Sequence, residues 1–349
     1  MVSKLRAAII GATGYSGVEL IRILSQHPHV EIAMVISTSQ EGQDFSKVYP
    51  HLKGIIKARL SALEIDSISQ QVDLVFFATP ARVAKDLVPR FRDNGVKCID
   101  ISGDFRFKSP EIYQKWYQAE AANEKYLKQA VYGLSEINSE LIKNAELIAN
   151  PGCYPTATLL GLIPAIQKNW INPYSIIVDA KSGVSGAGRT PAVGSLFAEV
   201  NENLKAYKLG THQHLPEIEQ AISDFCGTQP LISFTTHLIP MNRGIMCTIY
   251  ANLIADIQVD DLIEHYQNFY YDRPFIRIRP SGTWPSTKEV YGSNYCDIGF
   301  FVDQRTRRLT IVSVIDNLVK GAAGQAVQNL NIMYGWNEAT GLYLNPLYP

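Results

Sequence analysis

Short apolar runs and helix-like segments alternate along the first part of the chain. The apolar runs are LRAAIIG (5–11), VEIAMVIS (30–37), DLVFFATP (73–80) and VKCIDIS (96–102). Between them, SGVELIRILSQH (16–27) and ARVAKDLVPRFRDNG (81–95) carry apolar residues at helical spacing. Strands that alternate with helices predict βαβ units and a parallel sheet. We therefore expect an α/β domain over residues 1–150, with a doubly wound, Rossmann-type nucleotide-binding sheet.

The pattern changes after residue 150. The apolar runs become longer, partly alternate with polar residues and lie closer together: SIIVDAKSG, ISFTTHLIP, IMCTIYANLI, CDIGFFVD and RRLTIVSVID. Few helices intervene, which predicts an α+β domain over 151–316 with a mixed, mostly antiparallel sheet. The alanine-rich KGAAGQAVQNLNIMYG, closed by Gly335, predicts a helix. We expect the chain from about 317 to 349 to return to the first domain.

The overall charge excludes several classes of partner. The 349 residues include 32 Lys and Arg against 33 Asp and Glu, a net charge of −1. This balance predicts neither a nucleic-acid nor an anionic membrane partner. No apolar run approaches the ~20 residues of a membrane span, and the first one is too short for a signal peptide. The expected location is therefore the cytoplasm.

Two further features of the composition concern cysteine and assembly. The five cysteines, at 98, 153, 226, 247 and 296, contain no CxxC pair, so neither a disulfide framework nor a zinc ribbon is expected. Charged residues make up only 19% of the chain. Together with a second-domain sheet that should expose one apolar face, this predicts a homo-oligomer, either a dimer or a tetramer.

A glycine-rich turn follows the first predicted strand and opens a helix. Gly11, Gly14 and Gly17 form a GxxGxxG variant of the dinucleotide fingerprint. The first glycine permits the tight turn, the second allows the backbone to approach a pyrophosphate, and the third allows close helix–strand packing. The alternative is a tight turn that binds no ligand.

The end of the second predicted strand indicates which dinucleotide is preferred. NAD-binding chains usually carry Asp or Glu there for the ribose hydroxyls, whereas this chain has Ser37, Thr38 and Ser39. Hydroxyls can donate to a 2′-phosphate that a carboxylate would repel, which favours NADP. The turn contains no arginine, and Glu41 is close by.

Cys153 occupies a position that suits a nucleophile. Pro155 fits the first turn of a helix, and TATLLGLIPAI continues that helix. Cys153 is thus expected at a helix N-terminus, where the dipole and free N–H groups stabilise a thiolate. The alternative is a small core residue, which is our interpretation of the other four cysteines.

A nucleophile needs a proton carrier, and His212 and His214 are the candidates. Pro216 and Glu217 mark the start of a helix, so we expect both histidines in an extended entry segment with their side chains on the same side. HxH is also a metal-ligand spacing, but no third ligand accompanies it, so no metal is expected. A surface loop with two ordinary histidines is the alternative.

Three arginines lie on glycine-containing loops that border apolar strands. They are Arg106 in SGDFRF, Arg189 in SGVSGAGR and Arg243 in PMNRGI. Each alone is more often a solvated surface charge. Together they are consistent with a site for an oxyanion.

The combination of these motifs resembles a known family. GATGYSGVEL, SGDFRF, VYGLSEIN, NPGCYPTATLLGL, SGVSGAGR, HQHLPEI, PMNRGI and DNLVKGAAGQAVQN occur in the order typical of the N-acetyl-γ-glutamyl-phosphate reductases of arginine biosynthesis. The resemblance extends from residue 5 to about 335. NPGCYPT and KGAAGQA are shared with the related aspartate-semialdehyde dehydrogenases, whereas SGDFR and HxHxPEI favour the glutamyl enzymes.

The resemblance implies NADPH-dependent reduction of an acyl phosphate to an aldehyde through a thioester on Cys153. His214 or His212 would move the protons, with a slight preference for His214, and Arg106 would bind the substrate phosphate. The further substrate residues implied are Asn150, Arg189, Glu217 and Arg243. The cofactor residues implied are Gly11, Thr13, Gly14, Tyr15, Ser16, Gly17, Ser37, Thr38, Ser39, Ser185, Gly186, Asn317 and Gly321.

One departure from the family pattern leaves the substrate open. Many relatives have an arginine between the two histidines, where this chain has Gln213. The substrate could be N-acetyl-aminoadipyl phosphate, which is one carbon longer, or the enzyme could be an aspartate-semialdehyde dehydrogenase. A protein of another class, a non-catalytic dinucleotide-binding redox sensor, would need neither the histidine pair nor the arginines.

Overall fold

The computed structural model describes residues 4–348, which divide into two compact units. Residues 4–151 and 322–343 form the first unit, and 152–321 with 344–348 form the second. The sequence pattern placed the return to the first domain at about 317. The chain enters the first unit at 322, and its last residues belong to the second unit, where Leu347 N donates to Tyr291 O at 2.9 Å.

A seven-stranded parallel sheet forms the centre of the first unit. Its strands are β1 (Leu5–Ile10), β2 (Val30–Ile36), β3 (Leu60–Ser61), β4 (Leu74–Phe77), β5 (Lys97–Asp100), β6 (Val131–Tyr132) and β7 (Leu147–Ala149). The strand order is β3-β2-β1-β4-β5-β7-β6, and every neighbouring pair is parallel. The chain order reverses between β1 and β4, which is where doubly wound sheets bind ligands. The predicted fold class is confirmed for this unit.

Seven helices connect these strands. They are α1 (Tyr15–Leu24), α2 (Phe45–Val48), α3 (Ile65–Ser69), α4 (Ala84–Asp93), α5 (Pro110–Tyr117), α6 (Glu124–Gln129) and α7 (Ser135–Lys143). A 3-10 turn, Pro50–Leu52, follows α2. Helix α1 buries Leu20, Ile21 and Leu24 completely, because its apolar residues recur at helical spacing.

The second unit has a mixed seven-stranded sheet. Its strands are β8 (Ile177–Ser182), β9 (Lys205–Tyr207), β10 (Ser233–Leu238), β11 (Ile245–Asn252), β12 (Ile276–Ile278), β13 (Cys296–Asp303) and β14 (Arg308–Ile315). In the order β12-β13-β14-β11-β8-β10-β9, only β12–β13 and β8–β10 are parallel. The other pairs are antiparallel, as the spacing of the apolar runs predicts.

Helix α8 (Cys153–Gln167) is the central helix of the second unit. Every residue from 154 to 166 is buried, because the helix packs on the sheet and against α10 (His214–Cys226) and α11 (Val259–Phe269). A helix that is buried on all sides must be apolar on all sides, and this segment carries no charged residue. The shorter helical segments of the unit are Pro173–Ser175, Val184–Ala187, Val193–Ser195, α9 (Phe197–Val200) and Thr287–Val290.

The last helix, α12 (Gly324–Met333), follows a π-helix over Val319–Ala323 and belongs to the first unit. It packs against α7 and α1 and is buried along its whole length. Its buried amides are hydrogen-bonded: Asn329 Nδ2 donates to Gly133 O at 2.8 Å, and Gln325 Nε2 donates to Ser135 Oγ at 2.9 Å. Gly335, at φ +70°, ends the helical segment as predicted.

Within residues 4–348, no helix is long and apolar enough to cross a membrane.

Candidate active site

Cys153 is the first residue of α8, as the sequence predicts. Gly152 precedes it in an extended conformation and provides no side chain to cap the helix. The first N–H groups of α8 therefore have no side-chain partner from the N-cap, and Pro155 contributes no N–H at all. The Cys153 side chain is partly exposed, so its thiol combines solvent access with the favourable end of a helix dipole.

The imidazole of His214 lies directly against Gly152. A β-carbon added at Gly152 would lie 2.4 Å from His214 Nε2 and 2.8 Å from its Cδ2. Only glycine permits this approach, so the residue before the cysteine is small because the histidine occupies the space. The geometry thus places an imidazole next to the backbone that carries Cys153.

His212 has a different environment from His214. Its Nδ1 accepts a hydrogen bond from His214 N at 3.1 Å, and its ring contacts Tyr154, Tyr207 and Phe234 edge-on. Burial lowers the pKa of His212 to about 3. A neutral imidazole whose Nδ1 is an acceptor carries its proton on Nε2. His212 is therefore a fixed, neutral group at the start of α10.

The prediction of an extended segment for the two histidines is wrong. Gln213 is helical, with φ −61° and ψ −16°, and α10 begins at His214 rather than beside Pro216. His214 N, the first N–H of the helix, donates to His212 Nδ1 at 3.1 Å, and a bond across two residues is incompatible with an extended segment. The two rings are nevertheless adjacent, with centroids 4.7 Å apart.

Glu217 connects α10 to the cysteine turn. It is fully buried, and its Oε1 accepts a hydrogen bond from Gly152 N at 2.8 Å. Since His214 is one helical turn earlier on α10, this bond holds the proton-carrier candidate in a fixed relation to the start of α8. The structure thus shows Glu217 bonded to the turn before Cys153, and its contact with substrate stays a prediction.

Gly321 packs against the cysteine itself. A β-carbon at this position would lie 2.7 Å from Cys153 Cβ, so the backbone of the π-helix approaches the cysteine closely. Gly321 N donates to Asp316 O at 2.9 Å, and the Asp316 carboxylate accepts from Leu318 N and Val319 N at 2.8 and 3.0 Å. Asp316, which the sequence interpretation did not single out, therefore holds this segment in place.

Loops of the second unit meet around Asn317. Its Oδ1 accepts from Gly244 N at 2.7 Å, and its Nδ2 donates to Ser185 Oγ at 2.9 Å. Gly186 adjoins this pair. The neighbouring Arg243 contacts the buried Asp316, with 3.3 Å from Nη1 to Oδ2. Burial raises the pKa of Asp316. Arg189 lies in the exposed segment that follows the Ser185 loop.

The glycine turn of the first unit has the shape of a dinucleotide loop. Gly11 has φ +83°, and a β-carbon there would lie 2.4 Å from Ala78 O, while one at Gly17 would lie 2.3 Å from Gly11 O. These two glycines are required by the protein's own packing. An added β-carbon at Gly14 would lie 3.4 Å from Gly11 O, in ordinary van der Waals contact, so the protein's own packing does not require glycine at this position. Gly14 is also the uncapped N-cap of α1, whose first residues are Tyr15 and Ser16, and this arrangement fits a pyrophosphate.

Three hydroxyl groups cluster at the end of β2. Ser37 Oγ lies 3.2 Å from Thr13 Oγ1 and 3.4 Å from Ser39 Oγ. Tyr49 OH donates to Thr13 O at 2.9 Å, so the segment around α2 is bound to the glycine loop. Thr38 is exposed between the two serines. Neutral donors thus occupy the place where an NAD-binding chain usually has a carboxylate.

Arg106 and Asn150 belong to one buried network of the first unit. Arg106 Nε donates to Asn150 O at 2.8 Å and Nη2 donates to Ile101 O at 2.9 Å. The Asn150 amide bonds to Ala322 O and Asn329. Burial, with the nearby charge of Asp104, raises the pKa of Asp100 to about 6. The guanidinium is therefore rigidly held beside two buried acids.

The remaining cysteines differ in their environment. Cys98, Cys247 and Cys296 are buried, and burial raises the pKa of Cys247 to about 12. Cys226, at the end of α10, is only partly buried, so the prediction of a core position is wrong for this residue. No group of three metal-ligating side chains occurs in the part of the chain that the structure describes.

Comparison with known families and proteins gives a consistent result. The family model described as "Semialdehyde dehydrogenase, NAD binding domain" matches residues 6–145, and "Semialdehyde dehydrogenase, dimerisation domain" matches 153–317. The N-acetyl-gamma-glutamyl-phosphate reductase of Geobacillus kaustophilus is 56% identical over 345 residues, which cover 99% of this chain and 100% of that protein. The enzyme of the same name from Bacillus subtilis is 52% identical with the same coverage.

Solved structures show the same fold at low sequence identity. Aspartate semialdehyde dehydrogenase II of Vibrio cholerae, complexed with ASA, is 18% identical, with a TM-score of 0.74 over 95% of this chain and 98% of that chain. The aspartate semialdehyde dehydrogenase of Candida albicans, with NADP, is 17% identical, with a TM-score of 0.67 over 95% and 98%.

Proposed function

Because the chain belongs to the N-acetyl-γ-glutamyl-phosphate reductase family, we propose that it reduces N-acetyl-γ-glutamyl phosphate to N-acetylglutamate 5-semialdehyde and releases phosphate. This is a step of arginine biosynthesis. The observation that supports the proposal best is the partly exposed Cys153 at the start of α8, with the His214 imidazole against the preceding residue. A nucleophile and a proton carrier are what an activated acyl phosphate requires.

Cys153 forms the covalent intermediate. Its thiolate attacks the acyl carbon, the bond from that carbon to the phosphate oxygen breaks, and phosphate leaves with the electron pair. The product on the enzyme is a thioester. The helix N-terminus favours the thiolate before attack, and the N–H groups of the first turn of α8 can stabilise negative charge on the acyl oxygen.

A bound nicotinamide dinucleotide supplies the hydride that reduces the thioester carbon. His214 protonates the resulting oxyanion and then accepts that proton again when the carbon–sulfur bond breaks and the aldehyde leaves. His212 does not exchange protons in the neutral range, since its pKa is about 3. It orients His214 through the bond to His214 N. Of the two histidines, His214 is therefore the one that we propose as the acid and base.

The other site residues divide into binding and positioning groups. Arg106 binds the substrate phosphate. If so, Arg106→Lys should raise the KM for phosphate in the reverse reaction. Glu217 and Asn150 act through the contacts they make, with Gly152 and with α12 respectively. Arg243 and Arg189 contribute positive charge on loops of the second unit. Ser185, Gly186 and Asn317 contact one another within the second unit, and nicotinamide binding is the role that we propose for them.

The preferred cofactor is NADP(H). The hydroxyls of Thr13, Ser37 and Ser39 can donate to a 2′-phosphate, and none of the three residues that directly follow β2 is acidic. A comparison of kcat/KM for NADP and NAD tests this preference. Equal or better use of NAD would contradict it and direct attention to Glu41 as a ribose ligand.

The reaction itself is tested in reverse, with N-acetylglutamate semialdehyde, phosphate and NADP, by following NADPH formation. Cys153→Ser should bind NADPH and fold normally but lose nearly all turnover, because a serine hydroxyl is scarcely ionised at neutral pH. Cys247→Ser, a matched change at a buried thiol, should retain turnover. Mass spectrometry of enzyme mixed with the acyl phosphate alone should locate one acyl group on Cys153. An adduct elsewhere would refute the assignment.

Two further substrates belong in the same assay. The alternatives from the sequence are tested with aspartate semialdehyde and with the aminoadipyl homologue of the N-acetylated semialdehyde. A higher kcat/KM for either than for N-acetylglutamate semialdehyde would identify it as the substrate instead. NADPH binding without phosphate-dependent turnover on any of the three would instead favour a redox sensor.

The enzyme is a homo-oligomer, a dimer or a tetramer, of cytoplasmic location. The match of residues 153–317 to a dimerisation domain supports self-association. A monomeric mass by light scattering at micromolar concentration would contradict self-association. Recovery of the protein outside the cytoplasmic fraction of cells would contradict the proposed location.

A further inference from the structure

The turn after β2 has a cation beside it that local sequence does not reveal. The residues that directly follow β2 include no arginine or lysine before Lys47. Arg59, about twenty residues further along the chain, nevertheless donates a hydrogen bond from its Nε to Gly42 O at 2.8 Å. Gly42 is three residues beyond Ser39, the last member of the hydroxyl cluster. The tertiary fold thus brings a guanidinium to the turn that carries those hydroxyls.

Backbone contacts hold Arg59 in this place. Gly42 N donates to Leu60 O at 2.8 Å, Leu60 N donates to Gln43 O at 2.9 Å, and Phe45 N donates to Ala58 O at 3.0 Å. The chain that leaves the turn therefore pairs antiparallel with the residues that enter β3. Phe45 is completely buried, which anchors the paired segment to the core of the first unit. Arg59 is a fixed neighbour of the turn, not a residue of a loose loop.

The Arg59 guanidinium is oriented by a hydrogen bond and has one long, solvent-exposed ion pair, with Asp44. The Arg59 side chain is 77% exposed, and the nearest carboxylate oxygen, Asp44 Oδ1, is 4.0 Å from its Nε. Among residues 4–348, the only hydrogen-bond acceptor of this side chain is Gly42 O, bonded to Nε. Its two terminal amino groups remain as donors in the planar arrangement that binds phosphate oxygens in pairs.

We propose that Arg59 binds the 2′-phosphate of the dinucleotide and is the main determinant of the preference for NADP(H). This inference rests on the proposed NADP-dependent function. The hydroxyls of Ser37 and Ser39 are neutral donors, and two carboxylates, Glu41 and Asp44, lie on the same turn or just after it. A phosphate with two negative charges needs a cation at such a place, and Arg59 is the one whose side chain contacts the turn.

The experiment measures binding, with isothermal titration calorimetry of NADPH, NADH and 2′,5′-ADP to the full-length protein. Arg59→Ala should weaken the binding of NADPH and 2′,5′-ADP about tenfold or more, while NADH binding stays within twofold. The wild-type affinity for NADPH should also fall more steeply with salt than that of the variant. Arg59→Lys should recover part of the loss, because it restores the charge without the paired donors.

Arg90→Ala is the matched control. Arg90 is an exposed arginine on α4 of the same unit, so its removal changes the net charge equally without touching the turn. It should leave all three affinities unchanged. Because Arg59 is largely exposed, its substitution should not impair folding, which thermal unfolding verifies.

The outcomes separate this inference from the function on which it rests. If wild-type protein binds NADPH and NADH equally, the proposed cofactor preference is wrong and so is the role of Arg59. If wild-type protein prefers NADPH and Arg59→Ala keeps the whole preference, only the role of Arg59 is overturned. An equal loss in Arg59→Ala and Arg90→Ala would show a general charge effect and would overturn it as well.

Discussion

Replacing Gly152 by alanine tests the arrangement of the nucleophile and the proton carrier with a single methyl group. Gly152 has φ −67° and ψ 158°, a conformation that alanine adopts without strain. The added carbon would therefore act through its contacts alone. Those contacts are with the imidazole of His214, at 2.4 Å from Nε2 and 2.8 Å from Cδ2 and Cε1.

The size of the effect follows from these distances. Real Cβ atoms essentially never approach other heavy atoms below 3.0 Å, so the imidazole must move or rotate by half an ångström or more, on the order of the shifts that overpacking causes. Overpacking of this kind costs about 1–3 kcal/mol. A displacement near 1 Å of a group that takes part in the chemistry lowers the rate by about a hundredfold. We expect Gly152→Ala to lower kcat by about tenfold to a hundredfold.

The assay is steady-state kinetics of the reverse reaction, together with thermal unfolding and NADPH binding. The loss should be in kcat, with KM for NADP unchanged, because the glycine loop of the first unit is not altered. Gly161→Ala is the matched control, since it makes the same substitution in the same helix, where the nearest atoms are side-chain carbons at 3.3 Å. It should change kcat by less than about twofold, with a small change in stability of either sign because helix propensity and packing oppose each other.

Full activity of Gly152→Ala would refute the reasoning, because it would show that His214 can leave its position without consequence for the reaction. If Gly161→Ala lowered kcat as strongly as Gly152→Ala, the loss would reflect a general disturbance of α8, and this too would refute the reasoning.

Substitutions at three other positions probe the same site. Burial lowers the pKa of His212 to about 3, whereas in the unfolded chain it stays at about 6.5. Only the unfolded state therefore gains a proton as the pH falls from about 6.5 to about 3, and the free energy of unfolding declines through that window. His212→Asn should flatten this decline in urea titrations, and an unchanged slope would contradict the reasoning. Glu217→Ala leaves Gly152 N without its buried acceptor and should lower the free energy of unfolding in urea by about 1–3 kcal/mol. Glu217→Gln should lower it less, because an amide oxygen can still accept the bond. Equal losses of stability in the two variants would argue against the bond. Gly321→Ala introduces a carbon 2.7 Å from Cys153 Cβ and should slow alkylation of Cys153 by iodoacetamide in the absence of cofactor. An unchanged alkylation rate would show that the close approach does not matter.

Much of the fold could be predicted from local patterns. Alternating apolar runs and helical segments identified the parallel sheet of the first unit, and the longer runs after residue 150 identified five of the seven strands of the second sheet. The two missing strands, Lys205–Tyr207 and Ile276–Ile278, have three residues each, too few for a periodic pattern to stand out. The return of the chain to the first unit, expected at about 317, occurs at 322, and no linker in the sequence marks it.

The candidate site was predictable where the chemistry depends on neighbours in sequence. A cysteine before Pro155 and an apolar helix implies a helix N-terminus, and a glycine triplet after a strand implies a tight turn, because both are properties of the local backbone. The extended form expected for His212 and His214 was wrong because His214 N bonds to the side chain of His212, a contact that residue spacing does not specify.

The sequence by itself therefore determined which residue types lie at which ends of strands and helices: the glycine loop, the hydroxyls after β2 and the cysteine at the start of α8. The tertiary structure alone decided how those positions work together. It placed Glu217 on Gly152, His214 in the space that Gly152 leaves, and Arg59 beside Gly42. These contacts join residues 17 to 65 positions apart. Their geometry depends on how strands and helices pack, and periodicity along the chain carries no information about that packing.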